Sequence, residues 1–205
     1  MSINSKEQLC NMASSHLGNY GTVSNIDSPT TEIETTYSLW YDVSRQTFLK
    51  TVIPNFSMTR KRVAQLSETP PYPFAYVYEY PKDCLKVLGI GAVEDKLNNY
   101  TVENNRIYTD ILYSDGMPIR YIRDVTDVTD MSPEFKTAFS WYLASAVALE
   151  ITQDISKMKL IEQLLPEKMS SLSGINAQEN KPIRISRSQF KEARYSGFPR
   201  REDKR

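Results

Sequence analysis

Histidine and cysteine are nearly missing from this chain of 205 residues, which has one histidine, His16, and two cysteines, Cys10 and Cys84. Two distant cysteines make neither a disulfide framework nor a zinc site, which needs four close ligands. They fit a reducing compartment. The single histidine falls near the end of the first predicted helix, where it reads as a cation against the helix C-terminal dipole rather than as the base of a Ser-His or Cys-His pair. Glycine is scarce, with 7 in all. No glycine-rich phosphate loop is present, and "GIGAVE" (Gly89 to Glu94) is too short for a dinucleotide fingerprint. The N-terminus "MSINSKEQLC" lacks the apolar stretch of a signal peptide, and no apolar run is long enough to span a bilayer. The expectation is a soluble protein that acts where it is made, without cofactor or membrane contact.

Charge of one sign is also in short supply, but only in total. Lysine and arginine number 25, as do aspartate and glutamate. A protein whose main partner is nucleic acid usually carries a basic excess. Nine of the basic residues and three of the acidic ones follow residue 180, so residues 1–180 carry six more acidic than basic side chains. A basic tail on an acidic body can attract another copy of the same chain.

What the chain does have is an apolar fraction of 40%, enough for a buried core, and 13 tyrosines against 7 phenylalanines and 2 tryptophans. Tyrosine pairs an apolar body with a polar tip and suits interfaces and half-buried surfaces. Apolar periodicity predicts helices over 6–17, 29–53, 133–152 and 154–172. The first is capped by Asn4 or Ser5. The second is capped by Ser28 with Pro29 at its first position. The third has Ser132 as cap and Pro133 at its start, and the fourth is capped by Asp154, broken near Pro166 and ended by Gly174. "FSMTRKRVAQL" reads as a short helical or turn segment. Its run Arg60 to Arg62 lacks aromatics at base-stacking spacing and fits a solvated face.

The middle differs in kind. Pro70, Pro71 and Pro73 break any helix. Tyr76, Tyr78 and Tyr80 alternate with Ala75, Val77 and Glu79, the pattern of a strand with one aromatic face. Pro81 ends this strand, Asp83 caps the following turn, and Cys84 and Leu85 turn inward. Asn104-Asn105 marks a hairpin, and Ser114-Asp115-Gly116 a second turn between β-prone runs. The fold class expected is α+β: one unit over 1–174, built as a helical bundle with a small antiparallel sheet inserted at about 75–124. An extended basic tail over 175–205 follows. Ile183, Ile185, Phe190, Tyr195 and Phe198 are scattered anchors in that tail, which orders against a partner.

Chemistry is hard to find. Asp124, Asp127 and Asp130 are evenly spaced and can collect a divalent cation, which would make a metal-dependent enzyme. They also precede a helix start, where acidic residues are favoured electrostatically, and no glycine bends the loop as a calcium site wants.

Three stretches carry a family pattern in order: "LWYDVSRQTFL", with its Trp40 to Arg45 segment; "YEYPKDCL", Tyr78 to Leu85; and Tyr121 to Thr152, "YIRDVTDVTDMSPEFKTAFSWYLASAVALEIT". Together they resemble the tail tubular protein A family of short-tailed bacteriophages, the head-to-tail adaptors. The resemblance covers most of Lys6 to Gly174, and residues 175–205 have no counterpart in it. It implies a non-enzymatic structural virion protein in the neck of the tail, assembled in the host cytoplasm. Members form a twelve-fold ring between the portal protein and the tail nozzle protein, of tail tubular protein B type. Their helical bundle lines the ring and their sheet projects toward the nozzle. Genomic DNA passes through the channel without specific binding, for which an acidic body is suited. On this reading the contact residues are Tyr76, Tyr78 and Tyr80, facing the helices or a neighbouring subunit. They are joined by Arg184, Arg187, Phe190, Arg194, Tyr195 and Phe198 of the tail, lying on an adjacent subunit or the portal. The alternative is a nucleic-acid-binding accessory protein that acts through the basic tail.

Overall fold

A computed structural model describes residues 3–18, 21–91 and 100–179. Among these residues the chain is α+β, with four α-helices and two three-stranded antiparallel sheets. The sheets are inserted between the second and third helices.

Helix α1, Lys6–His16, starts at a reciprocal capping box: the Ser5 hydroxyl accepts from the Gln8 amide, and the Gln8 side chain accepts from the Ser5 amide. Helix α2, Glu32–Val52, begins three residues later than the sequence suggests. Ser28-Pro29 mimics a helix start, but Thr31 is the cap and Glu34 completes the box. The box satisfies amides at both ends of the first turn, which a lone Ser-Pro pair does not. Helix α3, Pro133–Thr152, matches its expected span, with the Ser132 hydroxyl accepting from the Phe135 amide. Helix α4, Ile155–Glu179, is capped by Asp154, which accepts from the amides of Ser156 and Lys157. It runs through both expected breaks, Pro166 and Gly174. An internal proline costs a helix about 3 kcal/mol. Ile161 on one side of Pro166 and Leu172 on the other are both buried, and that packing offsets the loss.

Helix α3 is the axis of the helical half. Phe135, Ala138, Phe139, Leu143, Ala144, Val147 and Ala148 are buried, and α1, α2 and α4 all pack on it. Ala144 and Ala148 are small enough to let a neighbouring helix close in. Phe48 of α2 sits against Phe135, Phe139 and Tyr142, with ring centroids 5.1, 5.7 and 5.0 Å apart. Truncating any of the buried rings to alanine would cost about 3–5 kcal/mol.

The sheet region begins earlier than expected. "MTRKRV" is strand β1, Met58–Val63, and no helix or turn. The others are β2, Tyr76–Glu79; β3, Cys84–Ile90; β4, Tyr100–Glu103; β5, Arg106–Thr109; and β6, Met117–Arg123. The first sheet has the order β1-β6-β3 and the second β2-β5-β4. Asn104 and Asn105 join β4 to β5 with φ of 47° and 55°, the left-handed pair a two-residue hairpin requires. The turn at Ser114-Asp115-Gly116 is present, but Ile111 to Tyr113 is not a strand. That segment instead carries the chain from one sheet to the other.

The two sheets share one apolar cluster: Val63, Cys84, Ile90, Met117, Ile119 and Tyr121 from the first, with Tyr78 and Ile107 from the second. Ile122, next to Tyr121, belongs to the helical core instead. Successive side chains on a strand point to opposite faces, so β6 divides the two cores.

Candidate functional site

The three stretches that carry the resemblance meet in space. Arg45 of α2 is 2% exposed. It is ion-paired to Asp124, donates to the Val125 carbonyl at 2.8 Å, and pairs with Asp42 one turn back at 3.1 Å. Burial opposes its charge, but the hydrogen bonds to Asp124 and Asp42 outweigh that and raise its pKa. Gln46 donates to the other Asp124 oxygen. The Asp124 amide donates to the Asp83 carbonyl at 2.8 Å, and the Tyr121 hydroxyl donates to the Asp83 carboxylate at 3.1 and 3.2 Å. Desolvation and the neighbouring Asp83 charge push the Tyr121 phenol up to about 12. Asp83 therefore accepts from a phenol across the sheet instead of capping its own turn. That turn is closed by the Cys84 amide donating to the Pro81 carbonyl.

The three candidate metal-binding carboxylates do not converge. Asp124 faces Arg45 and Gln46. Asp127 caps a short 3-10 turn, accepting from the Thr129 amide and hydroxyl at 2.8 and 2.7 Å, which lowers its pKa. Asp130 faces Arg123 at 3.5 Å. No cluster of three possible ligands occurs among the described residues.

The tyrosine strand points into its own chain. Tyr78 is fully buried. Its hydroxyl accepts from the Tyr113 amide at 2.9 Å and donates to the Ile111 carbonyl at 3.4 Å, so both its polar roles are used. Tyr76 and Tyr80 are half-buried against the same cluster, and only they retain surface for another subunit. The tail residues Arg184, Arg187, Phe190, Arg194, Tyr195 and Phe198 lie outside the described residues.

His16 differs from its expected role. Its ring stacks on Trp141 with centroids 4.0 Å apart, and Lys168 lies over Trp141 at 6.0 Å. Desolvation, aided by the Lys168 charge, lowers its pKa, so at neutral pH it is not the dipole-compensating cation. The Ser140 hydroxyl donates to the Thr137 carbonyl, which leaves it to accept from His16 Nε2 at 3.0 Å. The neutral ring therefore carries its proton on Nε2.

A surface that periodicity did not single out is the outer side of α2. Leu39 and Val43, one turn apart, are 69% and 59% exposed. Trp40 beside them is 37% exposed, with its indole donating to Glu150 at 3.2 Å. Leu149 of α3 is also exposed. In the sequence this ridge is masked by its inward partners Tyr37, Tyr41 and Phe48, because a helix apolar on both sides shows no clean stripe. Among the described residues no helix is long and apolar enough to cross a membrane.

Compared with known proteins, the chain matches no family model and no curated protein sequence.

Proposed function

We propose that this chain is a non-enzymatic head-to-tail adaptor of a short-tailed phage, working as a ring subunit between portal and tail nozzle. The observation that carries the reading is the ridge of Leu39, Trp40 and Val43 on α2. Large apolar side chains side by side on a well-packed subunit mark a surface covered by another protein. The convergence of the three resembling stretches on Arg45, Asp124 and Asp83 supports it further. They form one device that fixes the sheet to the helices, as a subunit placed between two partners needs. Asp124, Asp127 and Asp130, the carboxylates spaced to collect a metal, are instead engaged in pairing and capping.

Mass photometry of the full chain, alone and with its portal, tests the proposal. A ring assembly in either condition is the expected result, and a species that stays monomeric even with portal present overturns it. Removing residues 181–205 should weaken assembly, since nine basic side chains leave with them. If the truncated chain assembles normally but loses salt-sensitive DNA binding, the tail serves nucleic acid instead.

A further inference from the structure

The first sheet carries a groove of about 510 Å³ lined by residues of all three strands. Arg60, Lys61 and Arg62 come from β1, Leu88, Gly89, Ile90 and Gly91 from β3 and its end, and Pro118, Ile119 and Arg120 from β6. The charge on this groove is not accounted for by contacts among the described residues. Arg60 and Arg120 are direct cross-strand partners, and like charges placed opposite each other destabilise a sheet. Among the described residues neither they nor Lys61 or Arg62 has an ion-pair partner. Basic residues on an edge strand protect it from pairing with other chains, which accounts for β1, but Arg120 lies on β6, the central strand. Gly89, cross-strand from Arg120, follows a register shift after Val87, and a Cβ there would meet nothing within 4 Å. A glycine beside a bulge leaves the strand surface bare, and the open space above this one gives an extended segment room to lie against the backbone.

From these features we infer that the groove is a docking site for an acidic, extended segment of another protein, with carboxylates for the arginines and aliphatic side chains for the floor. Arginine forks bind carboxylate and phosphate alike, so the rest of the groove decides between them. Leu88 and Pro118, both half-buried, offer an apolar surface that a phosphodiester backbone cannot use. Among the described residues no aromatic ring lines the groove for base stacking. The three arginines are fewer cations than a duplex-binding track employs, which is about six to ten phosphate contacts. Residues 1–180, acidic by six charges, repel a long polyanion more than a segment with two or three carboxylates.

The test uses the full chain and three fluorescent probes: a peptide alternating Glu and Val, the same peptide with Lys for Glu, and a duplex DNA. Anisotropy should show saturable binding of the Glu peptide with Kd below about 1 mM and none of the Lys peptide. Arg60→Ala or Arg120→Ala should each weaken it up to about fivefold. Gly89→Glu places a carboxylate in the groove without a clash and should abolish binding. Thermal unfolding checks the fold, and Arg120→Ala should not lower the midpoint, because it relieves the Arg60 repulsion. Absence of Glu-peptide binding, binding indifferent to all three variants, or DNA binding lost in the arginine variants would each overturn the inference. None of these outcomes depends on ring assembly, so the adaptor reading stands or falls separately.

Discussion

Arg45 of α2 and Asp124, 79 positions later and just beyond β6, form an ion pair at the junction of the helical and sheet halves. The pair matters because its two sides are unequal: Arg45 is almost fully buried while Asp124 keeps about a fifth of its surface exposed. A buried cation that loses its partner keeps its desolvation cost.

Asp124→Ala should therefore destabilise the chain by about 2–3 kcal/mol, somewhat less than a wholly orphaned buried charge, because Asp42 and the Val125 carbonyl remain. Urea unfolding measures this. The double variant Arg45→Met with Asp124→Leu should lose less than the sum of the two single variants, since removing both charges removes the orphan.

Glu34 gives a pH signature. Its carboxylate accepts from the amides of Ser24, Asn25, Thr30 and Thr31 and from the Thr30 hydroxyl. Led by the Thr30 amide, these bonds hold its pKa down at about 2 against an ordinary 4.5. A carboxylate depressed by folding contributes stability that is complete above the unfolded value and lost as pH falls through the folded one. Wild type should thus lose thermal stability between about pH 4.5 and pH 2 more steeply than Glu34→Gln, which should already have a lower midpoint at pH 7. Parallel pH profiles for the two proteins would refute this account.

His16 predicts a second, milder pH dependence. Its folded pKa lies below 6.5 through burial and the Lys168 charge, so the folded state takes up its proton later than the unfolded one. The resulting stability is present above pH 6.5 and declines as pH falls through the folded value. An NMR titration should place the His16 midpoint below 6.5, and Lys168→Gln should move it upward.

The α2 ridge separates folding from assembly. Leu39→Glu with Val43→Lys changes two exposed positions, so the stability of the single chain should shift by no more than about 0.5 kcal/mol per site. If the proposed ring forms, mass photometry should nevertheless show it lost in this variant. Rings that persist would remove the ridge from the subunit contact.

Much of the framework is legible in the residues themselves. Ser132, Pro133 and Glu134 announce α3, because cap, fixed φ and dipole charge coincide. Asn104-Asn105 announces a hairpin because few other pairs tolerate two positive φ angles. Strand β1 was hidden for a physical reason: Arg60, Lys61 and Arg62 are all exposed, so its alternation disappears into one run of charge. Helix α4 continues through Pro166 because packing of Ile161 and Leu172 on either side overrides a local helix breaker. The node of Arg45, Asp124 and Asp83 was out of reach, since its members are far apart in the chain and ordinary in composition. The α2 ridge was readable in principle, as Leu39 and Val43 recur at i and i+4, but Tyr41 and Phe48 compete for the same helix.

Tyr121 and Ile122 are neighbours on β6, yet each fills a different core. Sliding this strand by one position would exchange them, driving a phenol among the helices and an isoleucine into the sandwich, and would undo both interiors together. A tug along the chain would meet resistance from two sides at this strand. Force delivered to the sheet would then reach the bundle with little give.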